Sequence, residues 1–495
     1  MATGWYAAMR TVSWALLLAA LMSSLAMADP QEPVITRHQI LSGGKAVRYA
    51  AEAGRIAIRD VETGQPHGYM FYTAYRLSGK TRRPVTFIWN GGPGADSALL
   101  HFSVAGPKLL RNGHLVDNPD TWLAASDLVM VDPIGTGFSR PVSAGYDSEF
   151  YGTRGDVASV TEFVRSWLLL HGAEDAAVFL AGESWGAGRA ASVAYALLSR
   201  GIRVEGLVLI SGGWGLNTNY GSASLRDALR VVDMANTALF YGKTPAELGK
   251  DPATVRQAAE QWVRNTYAPA LARRDQLTDS ERTSLASELS RFTGIPAEQI
   301  DRQKLVISPL QFRELLLKSE GKRPYIFDLR ISSGERPGSH AAILHYLRHD
   351  LGYQTDLPYI GLEEVSQGFA PSGTYPESVN QRWNYATKDV TPEEMKAAIE
   401  IAAREGSGPP RIGPPLPATE EALAVNPDLR VLVAAGRYDG FQPCAAGAET
   451  ESHLPPNLRT AITFKCYAGG HAMYLDEPVR VELSRDVQAL ISSAH

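Results

Sequence analysis

The chain has 495 residues, 20% of them charged, and a formal net charge of −5. A charge so near balance, with no basic patch, gives no case for a nucleic-acid partner. The length allows a large core and points to one big domain carrying an insertion.

At the N-terminus, Arg10 precedes the mostly apolar stretch Trp14 to Leu25, and Ala26-Met27-Ala28 stands before Asp29-Pro30. A positive charge, an apolar run and a small-residue A-x-A site read as a secretory signal peptide, 1–28, removed on export. An uncleaved membrane anchor is the alternative. The segment has no cysteine, which argues against lipid attachment. No later stretch is long and apolar enough to span a bilayer, so no membrane contact is expected after cleavage.

Residues 29 to about 80 read as β-rich: Ala57 to Val61 alternates, and Tyr69 to Tyr75 is aromatic and strand-like. Val85 to Trp89 is a continuously apolar strand that runs into Asn90-Gly91-Gly92-Pro93-Gly94. Asp127 to Asp132 is another buried strand, followed by a helical pattern from about Asp156 to Leu170. The apolar run Ala177-Val178-Phe179 then leads through Leu180-Ala181 into Gly182-Glu183-Ser184-Trp185-Gly186, with a helix expected over Ala187 to Leu198 and a strand over Val204 to Ile210. Apolar strands alternating with helices predict an α/β fold, a parallel sheet covered on both faces.

That rhythm stops after Asn219. Residues 220 to 416 are mainly helical and charged, without an obvious buried strand. It returns with strands at Leu429 to Ala434 and Thr460 to Phe464, and a last helix from about Pro478 to Ser492. The expected organisation is a signal peptide (1–28), a first core segment (29–219), an inserted helical cap (220–416) and a second core segment (417–495).

Strand, G-x-S-x-G, helix is the pattern of a nucleophile elbow, which lifts the Ser184 hydroxyl above the sheet edge. A serine nucleophile needs a base, and the base needs a carboxylate to orient it. Asp439 and His471 each follow a late core strand through a glycine-containing loop, in the order Ser, Asp, His. Open α/β sheets bind ligands at that strand edge. An oxyanion hole needs two amides; Trp185, next to the nucleophile, and Gly92, in the loop after an early strand, are the candidates. His345 and His349 share a helix face near His340, but Tyr346 stands where an H-E-x-x-H zinc site needs glutamate. No metal or cofactor is expected. The two cysteines, Cys444 and Cys466, invite a disulfide in an exported protein, because parallel neighbouring strands would bring their loops together. Two free buried thiols are the alternative.

Four blocks resemble the serine carboxypeptidase family: Trp89 to Gly94, Asp132 to Ser139, Gly182 to Gly186, and Gly469-Gly470-His471. Asn118 to Trp122 is also similar to a family segment. The likeness covers the core, about 70 to 215 and 425 to 485, and reaches the cap poorly. It implies an α/β-hydrolase fold and an exported serine hydrolase that releases C-terminal residues from peptides through an acyl-enzyme. It further implies that Asn90 and Glu183, helped by the Gly91 amide, bind the terminal carboxylate of a peptide substrate. A glutamate beside the nucleophile repels a carboxylate unless protonated, so such a site suits acidic pH.

Three departures stand out. Trp185 replaces the usual tyrosine, and Ala95 replaces the usual cysteine. The stretch Ala98 to Ala105 lacks the second glutamate of eukaryotic members. The simple signal and sparse cysteines resemble a bacterial branch. Esterase or acyltransferase activity on the same triad is the alternative, and a catalytically silent binding protein a further one.

Overall fold

Strands apolar along their whole length must lie between two covering layers. The computed structural model describes residues 32–79, 83–216, 220–332, 340–362, 379–405, 412–413 and 418–493, and it places such strands at the centre of one ten-stranded sheet whose outer strands are partly exposed. The expected signal peptide, 1–28, lies outside the described residues. The strands on the main path are β1 (Val34–Ser42), β2 (Lys45–Arg59), β3 (Pro66–Leu77), β4 (Val85–Trp89), β5 (Asp127–Val131), β6 (Val178–Glu183), β7 (Val204–Ile210), β8 (Arg430–Gly436) and β9 (Ile462–Tyr467). Their spatial order is β1-β2-β3-β5-β4-β6-β7-β8-β9, with Arg140–Pro141 pairing β3 off this path. The helices that matter below are α1 (Thr153–Leu170), α2 (Trp185–Leu198), α3 (Ala223–Phe240), α4 (Cys444–Ser452) and α5 (Glu477–Ser492).

β1, β2, β3 and β5 pair antiparallel. From β5 through β4, β6, β7 and β8 to β9 every pairing is parallel. Successive side chains point to opposite faces of a strand. Thus Phe87, Val129, Val131, Leu180, Leu207 and Leu209 join one core with Phe163 and Trp167 of α1 and Ala190 of α2. Ile88, Leu128, Met130, Phe179, Val208 and Ile210 join the other, with Leu483 and Val487 of α5. Truncating Phe163 or Trp167, both fully buried, would cost about 3–5 kcal/mol.

One hairpin escaped the sequence reading. Lys108–Arg111 pairs His114–Asp117 across Asn112-Gly113, whose φ values are 49° and 79°. Asn-Gly between two short apolar runs is the signal for that turn.

After β4 the chain steps to one side, to β5. After α1 it returns to the other side of β4, as β6. The order reverses across β4, so the loops leaving β4 and β6 meet at the carboxyl edge of the sheet, where open α/β sheets form their crevice.

The span 220–416 contains no strand among its described residues. It divides in its packing. Residues between Ala228 and Leu329 form their own cluster around Leu229 and Val232 of α3. Ile343, Tyr346 and Tyr359 instead pack into one face of the central core, and Val379 and Trp383 into the other.

Candidate active site

β6 runs to Glu183 and α2 begins at Trp185, so Ser184 alone makes the turn. Its φ of 57° and ψ of −122° lie where few non-glycine residues are found. The surrounding backbone leaves no room for neighbouring side chains. A Cβ on Gly182 would sit 1.9 Å from Gly186 O, and one on Gly212, just after β7, would sit 2.3 Å from Ser184 O. The Ser184 amide donates to Ile210 O at 2.8 Å, which fixes the elbow to β7. Ser184 is half-buried.

Asp439 and His471 leave the carboxyl ends of β8 and β9, which pair in parallel up to Gly436 and Tyr467. The structure brings them together: His471 Nδ1 lies 2.7 Å from Asp439 Oδ2, and both residues are buried. The carboxylate accepts, so Nδ1 carries the proton and Nε2 presents a lone pair. Nε2 is buried without a hydrogen-bond partner among the described residues. The other oxygen, Asp439 Oδ1, accepts from the Phe441 amide at 2.8 Å. Burial opposes protonation of His471, but the hydrogen bond and charge of Asp439, with the charge of Glu183, outweigh it and leave the imidazole above its ordinary value. Ser211, at a φ of 47°, donates its hydroxyl to His471 O at 2.6 Å.

The Asn90 to Gly94 loop lies directly on the elbow. A Cβ on Gly91 would be 2.5 Å from both Glu183 O and Trp185 N. Trp185 opens α2, so its amide has no acceptor within the helix. Gly92 and Gly94 have φ values of 97° and 87°, which side-chain-bearing residues rarely adopt. Arg189 of α2 locks the loop from beneath: Nη1 donates to Asn90 O at 2.8 Å and Nε to Asp156 Oδ2 at 2.7 Å.

Asn90 and Glu183, expected to act together, are in contact. Asn90 Nδ2 donates to Glu183 Oε2 at 2.5 Å, and Asn90 Oδ1 accepts from the Leu100 amide at 3.0 Å. The Tyr474 hydroxyl donates to the same Oε2. Burial pushes the Glu183 carboxyl up, and the Asp439 charge adds to this; the His471 charge and the bonds from Tyr474 and Asn90 pull it back, and it settles at about 7.

Trp185 packs edge-on against Trp383 and Tyr385, at ring-centroid distances of 5.9 and 5.4 Å. Cys444, at the start of α4, is disulfide-bonded to Cys466 of β9. The rings of His345 and His349 meet at a tilt of 39° with centroids 4.7 Å apart, and His345 faces Asp350 at 3.9 Å. No group of three or more potential metal ligands occurs among the described residues.

Tyr474, Ser211 and Arg189 were not singled out from sequence. Arg189 alone left a signal, as a charged residue on the apolar face of a helix pattern, which calls for a buried partner.

The family model for serine carboxypeptidases matches residues 46–204. The chain is 35% identical over 144 residues to the pheromone-processing carboxypeptidase KEX1 of Ajellomyces capsulatus, covering 27% of this chain and 22% of that protein. It is 37% identical over 82 residues to KEX1 of Verticillium alfalfae, covering 16% and 13%. The chain thus spans about a fifth or less of the length of these relatives. Among solved structures, the prohormone-processing carboxypeptidase Kex1(delta)p of Saccharomyces cerevisiae aligns over 90% of this chain and 91% of its own, at 14% identity and a TM-score of 0.48. The matched residues 46–204 carry the Asn90 loop and the Ser184 elbow, and over this third of the chain the sequence is similar to the serine carboxypeptidase family.

Proposed function

We propose that this chain hydrolyses C-terminal residues from peptides through an acyl-enzyme on Ser184. Ser184 Oγ attacks the scissile carbonyl carbon and gives its proton to His471 Nε2, while Asp439 holds the imidazole in the required tautomer. The Gly92 and Trp185 amides receive the oxyanion. His471 returns the proton to the departing amine. A water molecule, deprotonated by His471, then cleaves the ester and restores Ser184.

The observation that carries the carboxypeptidase reading is the Asn90–Glu183 hydrogen bond beside the nucleophile. Both donors to Glu183 meet Oε2, so the proton of the acid form belongs on Oε1. A carboxyl at about 7 is mostly protonated in acid and donates from there to a substrate carboxylate. The second Asn90 Nδ2 proton and the Gly91 amide complete the clamp. The N-terminal segment and the disulfide support an exported, secreted or periplasmic protein acting on peptides there.

The absence of any carboxylate from Ala98 to Ala105 favours the second reading, an esterase or acyltransferase. Blocked dipeptides with free or amidated C-termini, assayed beside simple esters, decide between them. Cleavage of amides and esters but not free acids would overturn the carboxypeptidase reading. Failure of a fluorophosphonate probe to label Ser184 would leave only the silent binding protein.

A further inference from the structure

The segment 325–331 is stitched to both triad loops by main-chain hydrogen bonds. His471 N donates to Phe327 O at 2.6 Å, Gly440 N to Ile326 O at 3.0 Å, and Leu329 N to Tyr438 O at 2.9 Å. This holds the Phe327 ring edge-on against the imidazole, with centroids 5.0 Å apart. Phe441 stands 5.2 Å from Phe327 and 6.3 Å from His471, and Tyr325 stands 5.4 Å from Phe327. All three rings face solvent, at 38% exposure for Phe327, 47% for Phe441 and 48% for Tyr325. His471 itself is 6% exposed. A contiguous exposed apolar patch marks a binding surface, and this one borders the candidate base.

We propose that Phe327 and Phe441, with Tyr325 at the outer edge, form the subsite for the side chain of the departing C-terminal residue, and that it takes large apolar side chains. The inference rests on the carboxypeptidase reading above. In that reaction the departing nitrogen must come within hydrogen-bond reach of His471 Nε2. The side chain of that residue branches one atom further on, which places it over the rings that flank the imidazole. Its carboxylate turns toward Asn90 and Glu183. The chemistry of the wall selects apolar over basic residues. Asp328 and Asp476, the carboxylates of this segment and of the turn after His471, are both taken by Arg330, at 2.6 Å each. Each of these carboxylates is thus already ion-paired, whereas the three rings offer exposed apolar surface.

The test uses the full chain and two series of blocked dipeptides. One varies the departing residue among Phe, Leu, Gly and Lys; the other varies the acyl residue before a fixed departing Gly. Burial of a large apolar side chain predicts a kcat/KM for departing Phe or Leu roughly ten- to a hundredfold above Gly. Lys is expected to stay near Gly. Phe327→Ala and Phe441→Ala should each lower the Phe/Gly ratio by roughly tenfold, chiefly through KM, and Phe327→Leu should restore part of it. Fluorophosphonate labelling of Ser184 reports whether each variant keeps an assembled site. A ratio that stays constant while all rates fall would reduce the rings to supports for His471. A loss that follows the acyl residue, or a preference for Lys, would overturn the assignment. If no free-acid peptide is cleaved, the carboxypeptidase reading fails. The subsite is then read from benzyl against methyl esters, where the same variants must lower the benzyl preference.

Discussion

Tyr474, three residues beyond His471, donates its hydroxyl hydrogen bond to Glu183, the residue just before Ser184. The carboxyl is thereby held by donors from two separate parts of the core, Tyr474 and Asn90. Both bonds favour the ionised form and oppose burial. Tyr474→Phe removes one of them, so the Glu183 carboxyl should titrate higher. A hydrogen bond to a charged group contributes roughly 1.5–3 kcal/mol, equivalent to about 1–2 pH units. The alkaline limb of kcat/KM for free-acid peptides should move up by about that amount, while the profile for esters stays in place. An unmoved limb would show that Tyr474 does not tune Glu183.

If the proposed reaction holds, the unmodified protein should show two different pH profiles. His471 must be neutral to accept the Ser184 proton, so activity on every substrate rises as pH climbs through the raised imidazole value. Glu183 must be protonated to receive a carboxylate, so activity on free acids falls above about 7. Free-acid peptides should give a bell, and esters only its rising limb. Glu183→Gln keeps a donor at all pH and should flatten the decline for acids. Asn90→Ala should harm acids more than esters. Kinetics with matched acid and ester substrates from pH 4 to 9 checks all three expectations.

Ser184→Ala should lower kcat by roughly ten-thousandfold or more. Its folding stability should change by about 0.5 kcal/mol or less, since a single half-buried hydroxyl is lost. Turnover assays paired with denaturant melts read both quantities.

The disulfide closes a loop of 22 residues between α4 and β9. A loop of that size contributes about 3 kcal/mol by restricting the unfolded chain. Replacing both cysteines by serine should lower the denaturation midpoint accordingly, and added reductant should then have no further effect. A non-reduced digest showing two free thiols would remove the basis for this.

Arg189 ties the Asn90 to Gly94 loop to Asp156 of α1. Arg189→Met leaves Asp156 buried and unpaired, which costs about 3–5 kcal/mol. It also releases Asn90 O, so kcat should fall along with stability. The double variant Arg189→Met with Asp156→Leu should recover much of the stability and little of the rate, which separates the two roles.

The parallel half of the sheet was legible because its central strands are largely apolar and most alternate with helix patterns; Val85–Trp89 and Val204–Ile210 are found at the expected bounds. The elbow was legible because its glycines are required within five residues. Tyr474 was not, since an aromatic in a late loop reads as core, and its partner lies 291 positions away. The aromatic segment around Phe327 was hidden for the same reason. It approaches His471 across 144 residues, through main-chain bonds that no side-chain pattern encodes.

Those main-chain bonds have a consequence for how this protein can diverge. Every amino acid offers a carbonyl, so the acceptors at Ile326 and Phe327 survive any exchange of side chain. Sequence drift at Tyr325, Phe327 or Ile331, all exposed, can therefore reshape the mouth while the loops of Asp439 and His471 stay in register. A library randomised at these three positions should return many folded, probe-reactive variants, whereas one randomised at Gly91, Gly182 and Gly212 should return almost none, because there the backbone already occupies the space of a first side-chain carbon.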